Sequence, residues 1–139
     1  MLVTTGGRKV APAKLELLLK RNPFVSHAVI LGDGRPFISA LLSLDWEAVS
    51  DWAEEQGLRG LSARELAGHP RLLARLDADV ARVNRELASY EQIRKFQVLA
   101  EALAIDTETL TPSMKIRREA CERRYSDHIE EIYQRGPHA

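Results

Sequence analysis

One lysine stands out by its setting. The stretch Leu110-Thr111-Pro112-Ser113-Met114-Lys115-Ile116-Arg117-Arg118 runs from a hydroxyl-rich turn through Lys115 into a segment with helical spacing of apolar residues. Pro112 fixes its own φ and drives Thr111 toward an extended conformation, so a loop should precede the lysine. An ammonium on a long flexible stem suits a phosphate or a developing oxyanion as a compact point charge. The competing reading makes Lys115 and the arginines after it the solvated first turn of a surface helix, as charge runs commonly are.

A second stretch with possible chemistry is Thr5-Gly6-Gly7-Arg8-Lys9. Paired glycines let the backbone turn tightly and approach a ligand closely, and neighbouring N–H groups with two cations could cradle an anion. The GxxxxGK[ST] spacing of a P-loop is absent, and an ordinary tight turn explains the glycines equally well. No HExxH, CxxC pair, GxSxG or post-strand GxGxxG occurs. His27, His69, His128 and His138 are scattered, with no metal-ligand spacing, so no metal site is expected. His27 sits within an apolar run and reads as structural. The single cysteine, Cys121, falls in the apolar set of the last helix and reads as a buried, inert thiol.

These residues must be positioned by a chain of 139 residues, long enough for one domain with a sizeable core. Twenty bases balance twenty acids, so total charge demands neither nucleic acid nor an anionic membrane. No apolar run reaches membrane-spanning length and no signal peptide is evident, which suggests a soluble, intracellular protein. Leu2-Val3-Thr4 is β-prone, and a strand so close to the first residue is expected to lack its partner or its beginning. Pro12 should open a helix through Leu19 that stops at Asn22-Pro23. Phe24–Leu31 and Phe37–Leu44 flank Gly32-Asp33-Gly34-Arg35-Pro36 and predict an antiparallel hairpin at the centre of the sheet. Asp45 should cap a helix from Trp46 to Gln56, with Gly57 as its stop, and Ser62 with Glu65 fits a capping box. From Pro70 to Leu87 an apolar face predicts a core-packing helix, and Arg94–Leu99 a third strand with a basic start. The connection from Ala100 to Ser113 is long enough to be functional. After Lys115, Ile116, Ala120, Cys121, Tyr125, Ile129, Ile132 and Tyr133 predict one long amphipathic helix. The tail Gly136–Ala139 reads as disordered. The sum is a small two-layer α+β domain with a mostly antiparallel sheet, its central hairpin packed by helices.

Three separated stretches carry a family resemblance. Leu2 to Glu16 resembles the segment that opens the small carboxy-terminal domain of acyl-CoA synthetases, in the superfamily of adenylate-forming enzymes. Pro23 to Leu44, with Val29-Ile30-Leu31-Gly32-Asp33-Gly34-Arg35-Pro36-Phe37 at its centre, is similar to the hairpin of the long-chain fatty acid branch. Leu110 to Arg118 is similar to that branch's lysine motif. The resemblance implies a mobile carboxy-terminal lid domain over residues 1–139, belonging to a long-chain fatty acid–CoA ligase. Such an enzyme converts a fatty carboxylate and ATP to acyl-adenylate, and then transfers the acyl group to coenzyme A. ATP, coenzyme A and Mg2+ serve the complete enzyme; none is expected bound to this chain, which should be inactive by itself. The implied partner is a large amino-terminal domain holding the acyl pocket and nucleotide site, with the hinge residue lying before Met1.

By the same resemblance, Lys115 matches the lysine that enters the site during adenylation. Gly6 and Gly7 match the loop that faces the site during thioester formation, and Arg8 and Lys9 beside them are candidates for the coenzyme A phosphates, or are merely solvated. Most of the superfamily has glycine where Met114 stands; a bulky apolar residue there is usual in the long-chain branch. The implied location is cytoplasmic, with peripheral membrane attachment open for the complete enzyme. Two other readings keep the fold without catalysis. One is an anion-binding face built from Lys95 and residues 115 to 124, against which Glu119, Glu122, Asp127, Glu130 and Glu131 weigh; nucleic acid is not expected as a partner. The other is an interaction domain.

Overall fold

The computed structural model describes residues 1–134. The tail Gly136–Ala139, expected to be disordered, lies outside the described residues. The chain forms an α+β domain. It begins with a small antiparallel hairpin of β1 (Leu2–Val3) and β2 (Lys9–Val10), Leu2 opposite Val10. The first strand therefore has a partner seven residues away, which the expectation of an unpaired strand missed because two-residue strands carry no periodicity to read. Helix α1 (Pro12–Lys20) follows, with proline in its first turn. β3 (Val25–Leu31) and β4 (Ile38–Leu44) then pair antiparallel, as the Gly/Asp/Pro cluster between two apolar runs predicts.

Four further elements lie between β4 and the third strand of the sheet. Asp45 caps α2 (Trp46–Glu55) by accepting from the Glu47 and Ala48 N–H groups, and Gly57 follows the helix at φ +76°. Ser62 and Glu65 form the reciprocal capping box that opens α3 (Ala63–Ala67). His69 caps α4 (Pro70–Asn84), and a short 3-10 turn (Ser89–Glu91) leads into β5 (Ile93–Leu99). β5 lies alongside β4 in parallel, so the sheet order is β3-β4-β5 with one antiparallel and one parallel pairing.

Every residue of β4 is buried, because both sheet faces are covered. On one face Ala28, Ile30, Ala40 and Leu42 pack with Leu15 and Leu19 of α1, Val49 of α2, and Leu72 and Leu76 of α4. On the other, Val29, Leu31 and Leu41 pack with Leu103, Leu110, Cys121, Ile129 and Ile132. A central strand flanked this way must be apolar at consecutive positions rather than alternating.

The single long helix expected after Lys115 is two helices, α5 (Arg118–Arg124) and α6 (Ser126–Gln134), broken at Tyr125. Tyr125 leaves helical geometry at φ −108°, ψ 26°. Its hydroxyl donates to Glu101 Oε1 at 2.7 Å, and Arg124 grips the same carboxylate through two nitrogens at 2.6 and 3.1 Å. These three bonds tie the end of α5 to the chain leaving β5 and turn the backbone there. The break was invisible to periodicity because Cys121, Tyr125, Ile129 and Ile132 stay in phase across it. No helix of the described residues is long and apolar enough to cross a membrane.

Candidate functional site

Lys115 sits in a short, closed hairpin. The long connection after β5 is folded on itself: Ala104 N–H donates to Thr109 Oγ1 at 2.8 Å, Leu110 N–H donates to Ala104 O at 3.0 Å, and Leu103 and Leu110 are buried. From this base Leu110 pairs with Ile116 in an antiparallel bridge. Between them, Met114 N–H donates to Thr111 O and Thr111 N–H to Lys115 O, each at 2.8 Å. Thr111 Oγ1 also accepts the Lys115 N–H at 3.0 Å and lies 3.1 Å from Ser113 Oγ. Lys115 is thus in an ordered turn three residues ahead of α5, and not in the first turn of the helix. Ile116, expected in the helix, is held in the bridge instead. The Lys115 side chain is exposed, and its ammonium has no hydrogen-bond or ion-pair partner among the described residues. Met114 beside it has φ +67° and is 54% exposed.

The Gly6-Gly7 stretch forms the turn between β1 and β2 with the same hydrogen-bond pattern. Gly7 N–H donates to Thr4 O at 2.9 Å and Thr4 N–H to Arg8 O at 3.0 Å, with Gly7 at φ +82°. In both hairpins a four-residue turn is followed by one residue's return to the strand, and the fourth residue takes the left-handed conformation. Gly7 meets that requirement without strain. Gly6 does not need to be glycine for the fold: its φ lies outside the left-handed range, and an added Cβ would find only Thr4 Oγ1, at 4.0 Å.

The turn between β3 and β4 holds the glycine hairpin in place. Val3 N–H donates to Asp33 Oδ1 at 3.0 Å, Gly34 N–H to Val3 O at 2.8 Å, and Thr5 N–H to Arg35 O at 2.9 Å. Arg35 stacks on the Tyr133 ring of α6 and pairs with Glu130. The sequence marked this turn only as a connector; its docking role had no local signal.

The structure gathers Gly6, Gly7, Arg8 and Lys9 in one hairpin and leaves Lys115 in another, with no hydrogen bond or ion pair among the described residues joining the two. The Arg8 guanidinium lies 5.0 Å from the centre of the Tyr90 ring, an arrangement that leaves its N–H edge available. Lys9 is exposed in β2. Along α5, Arg118 and Arg124 are neutralised by Glu16 and Glu101, which weakens the case for an anion-binding face there.

The remaining ionisable groups behave structurally. Burial, helped by Lys20, lowers the His27 pKa. Burial pushes the Cys121 thiol up to about 11, which makes it a poor nucleophile at neutral pH. Hydrogen bonds from Arg124 and Tyr125 hold the Glu101 carboxyl below its ordinary value. Among the described residues no group of three or more His, Cys, Asp or Glu side chains is placed to hold a metal ion.

Residues 1–137 match the family model described as the AMP-binding enzyme C-terminal domain. A long-chain fatty-acid–CoA ligase of Mycobacterium tuberculosis is 41% identical over 134 residues, covering 96% of this chain and 22% of the relative. A peroxisomal long-chain acyl-CoA synthetase of Arabidopsis thaliana is 29% identical over 130 residues, covering 91% of this chain and 18% of the relative. The chain therefore spans about a fifth of the length of the curated relatives it matches. The fold is shared with the A domain of a carboxylic acid reductase from Segniliparus rugosus, solved with AMP and a co-purified carboxylic acid. That match has a TM-score of 0.76 and 23% identity, and covers 96% of this chain and 20% of that one.

Proposed function

The chain belongs to the family of C-terminal domains of AMP-binding enzymes, and from that premise we propose that it is the mobile C-terminal domain of a long-chain fatty-acid–CoA ligase. Its partner in catalysis would be a large amino-terminal domain carrying the acyl and nucleotide pockets, and its substrates a fatty acid, ATP with Mg2+, and coenzyme A. The proposed enzyme would work in the cytoplasm.

The observation that carries this reading is the Lys115 hairpin: a backbone held by three hydrogen bonds at its tip, presenting an ammonium with no partner among the described residues. Attack of a carboxylate on the α-phosphate of ATP brings two anions together. Lys115 would lie between them, bonding to carboxylate and phosphate oxygens and offsetting the charge that builds during transfer. In the second half-reaction the lysine would be withdrawn and the glycine hairpin presented. Gly6 supports that role, since the fold leaves space for a side chain that the sequence does not place there. A bare backbone is what a close-lying pantetheine arm requires. Arg8 and Lys9, the two residues that follow Gly7, would reach the phosphates of coenzyme A.

The test uses the complete ligase with Lys115→Ala. Fatty-acid-dependent pyrophosphate exchange is expected to fall at least 100-fold, while thioester formation from preformed acyl-adenylate stays within about threefold. Unchanged exchange would remove Lys115 from the mechanism. The isolated chain, given fatty acid, ATP and coenzyme A, is expected to show no turnover.

A further inference from the structure

Met114 presents a conflict that the fold itself does not explain. Its φ of +67° lies where L side chains are disfavoured. The hairpin at the other end of the chain has the same pair of closing hydrogen bonds and fills the matching position with Gly7, at φ +82°. Glycine is the residue that meets this turn's backbone requirement without strain. The methionine side chain also gains little from burial within the chain, being 54% exposed. What it offers that glycine cannot is an adaptable apolar side chain directly beside an exposed lysine.

We infer that Met114 is a positioning residue for the adenylation step, its side chain seating against an apolar wall of the site that receives Lys115. Strain of this kind persists where the surroundings over-determine it and is characteristic of functional turns. Here the turn is fixed by Thr111, which bonds Met114 N–H through its carbonyl and Lys115 N–H through its hydroxyl. Because those bonds lock the backbone of the two neighbours together, the depth to which Met114 seats sets the depth and direction from which the ammonium approaches. A methionine thioether and its methylenes fit an apolar wall of irregular shape, the kind of surface a fatty substrate requires around its carboxylate end. The inference rests on the reading of Lys115 given above.

Three variants of the complete ligase separate the possibilities, with Lys115→Ala as reference. Met114→Gly relieves the backbone and removes the side chain. It is expected to raise the melting temperature of the 139-residue chain by about 2–4 °C and to lower kcat of the complete ligase for pyrophosphate exchange about tenfold, with thioester formation from acyl-adenylate unchanged. Met114→Ala keeps the strain but loses the apolar reach, and is expected to show the same kinetic loss without the gain in stability. Met114→Leu is expected to restore exchange to within about threefold. If Lys115→Ala abolishes exchange while Met114→Gly and Met114→Ala leave it intact, the inference is overturned and the Lys115 reading stands. Loss of both half-reactions alike would also overturn it, since a general structural defect would do that. If Lys115→Ala itself has no effect, the Lys115 reading and this inference fall together.

Discussion

Glu16 and Arg118, 102 residues apart, meet through two hydrogen bonds of 2.8 and 3.1 Å, and together they close the outer edge of β3 at a single residue. Glu16 Oε2 accepts the Ile30 N–H at 2.9 Å, and Arg118 donates to the Ile30 carbonyl at 2.7 Å. One ion pair thereby takes the place of a missing strand and clasps α1, on one face of the sheet, to α5, on the other. Arg118 stands three residues beyond Lys115, so the clasp also anchors the candidate catalytic hairpin to the body of the domain.

Cutting the clasp should be felt in stability. The Glu16 side chain is only 12% exposed, so Glu16→Ala leaves a half-buried guanidinium and the Ile30 N–H without their acceptor. We expect a loss of about 2 kcal/mol in urea unfolding, a similar loss for Arg118→Ala, and a double variant clearly less destabilised than the sum. Additive losses would mean that the two side chains act independently.

The two glycines of the first hairpin should respond in opposite ways. Gly7→Ala forces a Cβ onto a backbone at φ +82° and should cost about 1 kcal/mol, whereas Gly6→Ala should lie within about 0.5 kcal/mol of the parent. In the proposed complete ligase the order should reverse for function. Gly6→Ala, whose Cβ the fold has room for, is expected to slow thioester formation more than tenfold and spare pyrophosphate exchange. Melting curves and the two half-reaction assays decide both points.

Asp33 should matter through the hairpin it holds. Asp33→Ala removes the acceptor of the Val3 N–H while leaving two backbone bonds in place. The expected outcome is about 1 kcal/mol of lost stability and faster amide hydrogen exchange at Val3 and Thr5, with thioester formation reduced several-fold. Exchange rates unchanged at both amides would show that the carboxylate has no hold on the hairpin.

Alkaline pH should destabilise the domain from a known starting point. Burial keeps the Cys121 thiol protonated to about 11, against an ordinary value of 9.0. Between those values the unfolded chain releases a proton that the native state retains, so stability is intact below about pH 9 and falls as pH rises toward 11, by roughly 1–2 kcal/mol. Tyr125 and Tyr133, both also raised by burial, extend the decline above pH 10. Urea midpoints at pH 8, 9, 10 and 11 measure it, and Cys121→Ala should flatten the first part of the curve.

Features set by neighbouring residues were legible in the sequence. The Asp45 cap, the Ser62–Glu65 box, Pro12 at the head of α1 and the β3–β4 hairpin all follow from residue types a few positions apart, and the structure has each of them. Resemblance supplied the family, and the residues around Lys115 singled it out, but neither told how the lysine is held. What escaped notice depends on residues distant in sequence or on backbone angles. The Glu16–Arg118 clasp leaves no periodic trace, nor does the docking of Val3 on Asp33. The left-handed turn at Met114 was hidden because methionine, unlike glycine, does not announce such a conformation. The parallel pairing of β5 with β4 was equally hidden, since the residue types of a short strand do not fix the direction of its partner.

At the start of β5, the other outer strand, the Asn84 side-chain amide donates to the Ile93 carbonyl at 2.9 Å and accepts its N–H at 2.8 Å, as the Glu16–Arg118 pair does for Ile30. Both margins of the sheet thus carry a side-chain plug where a foreign strand would otherwise begin to add. A domain that parts from a neighbouring surface and returns to it, as proposed for this one, would spend time with its flanks in open water, where bare strand margins recruit other chains. Plugs at Ile30 and Ile93 guard against the strand exchange and fibrous assembly to which such exposure leads.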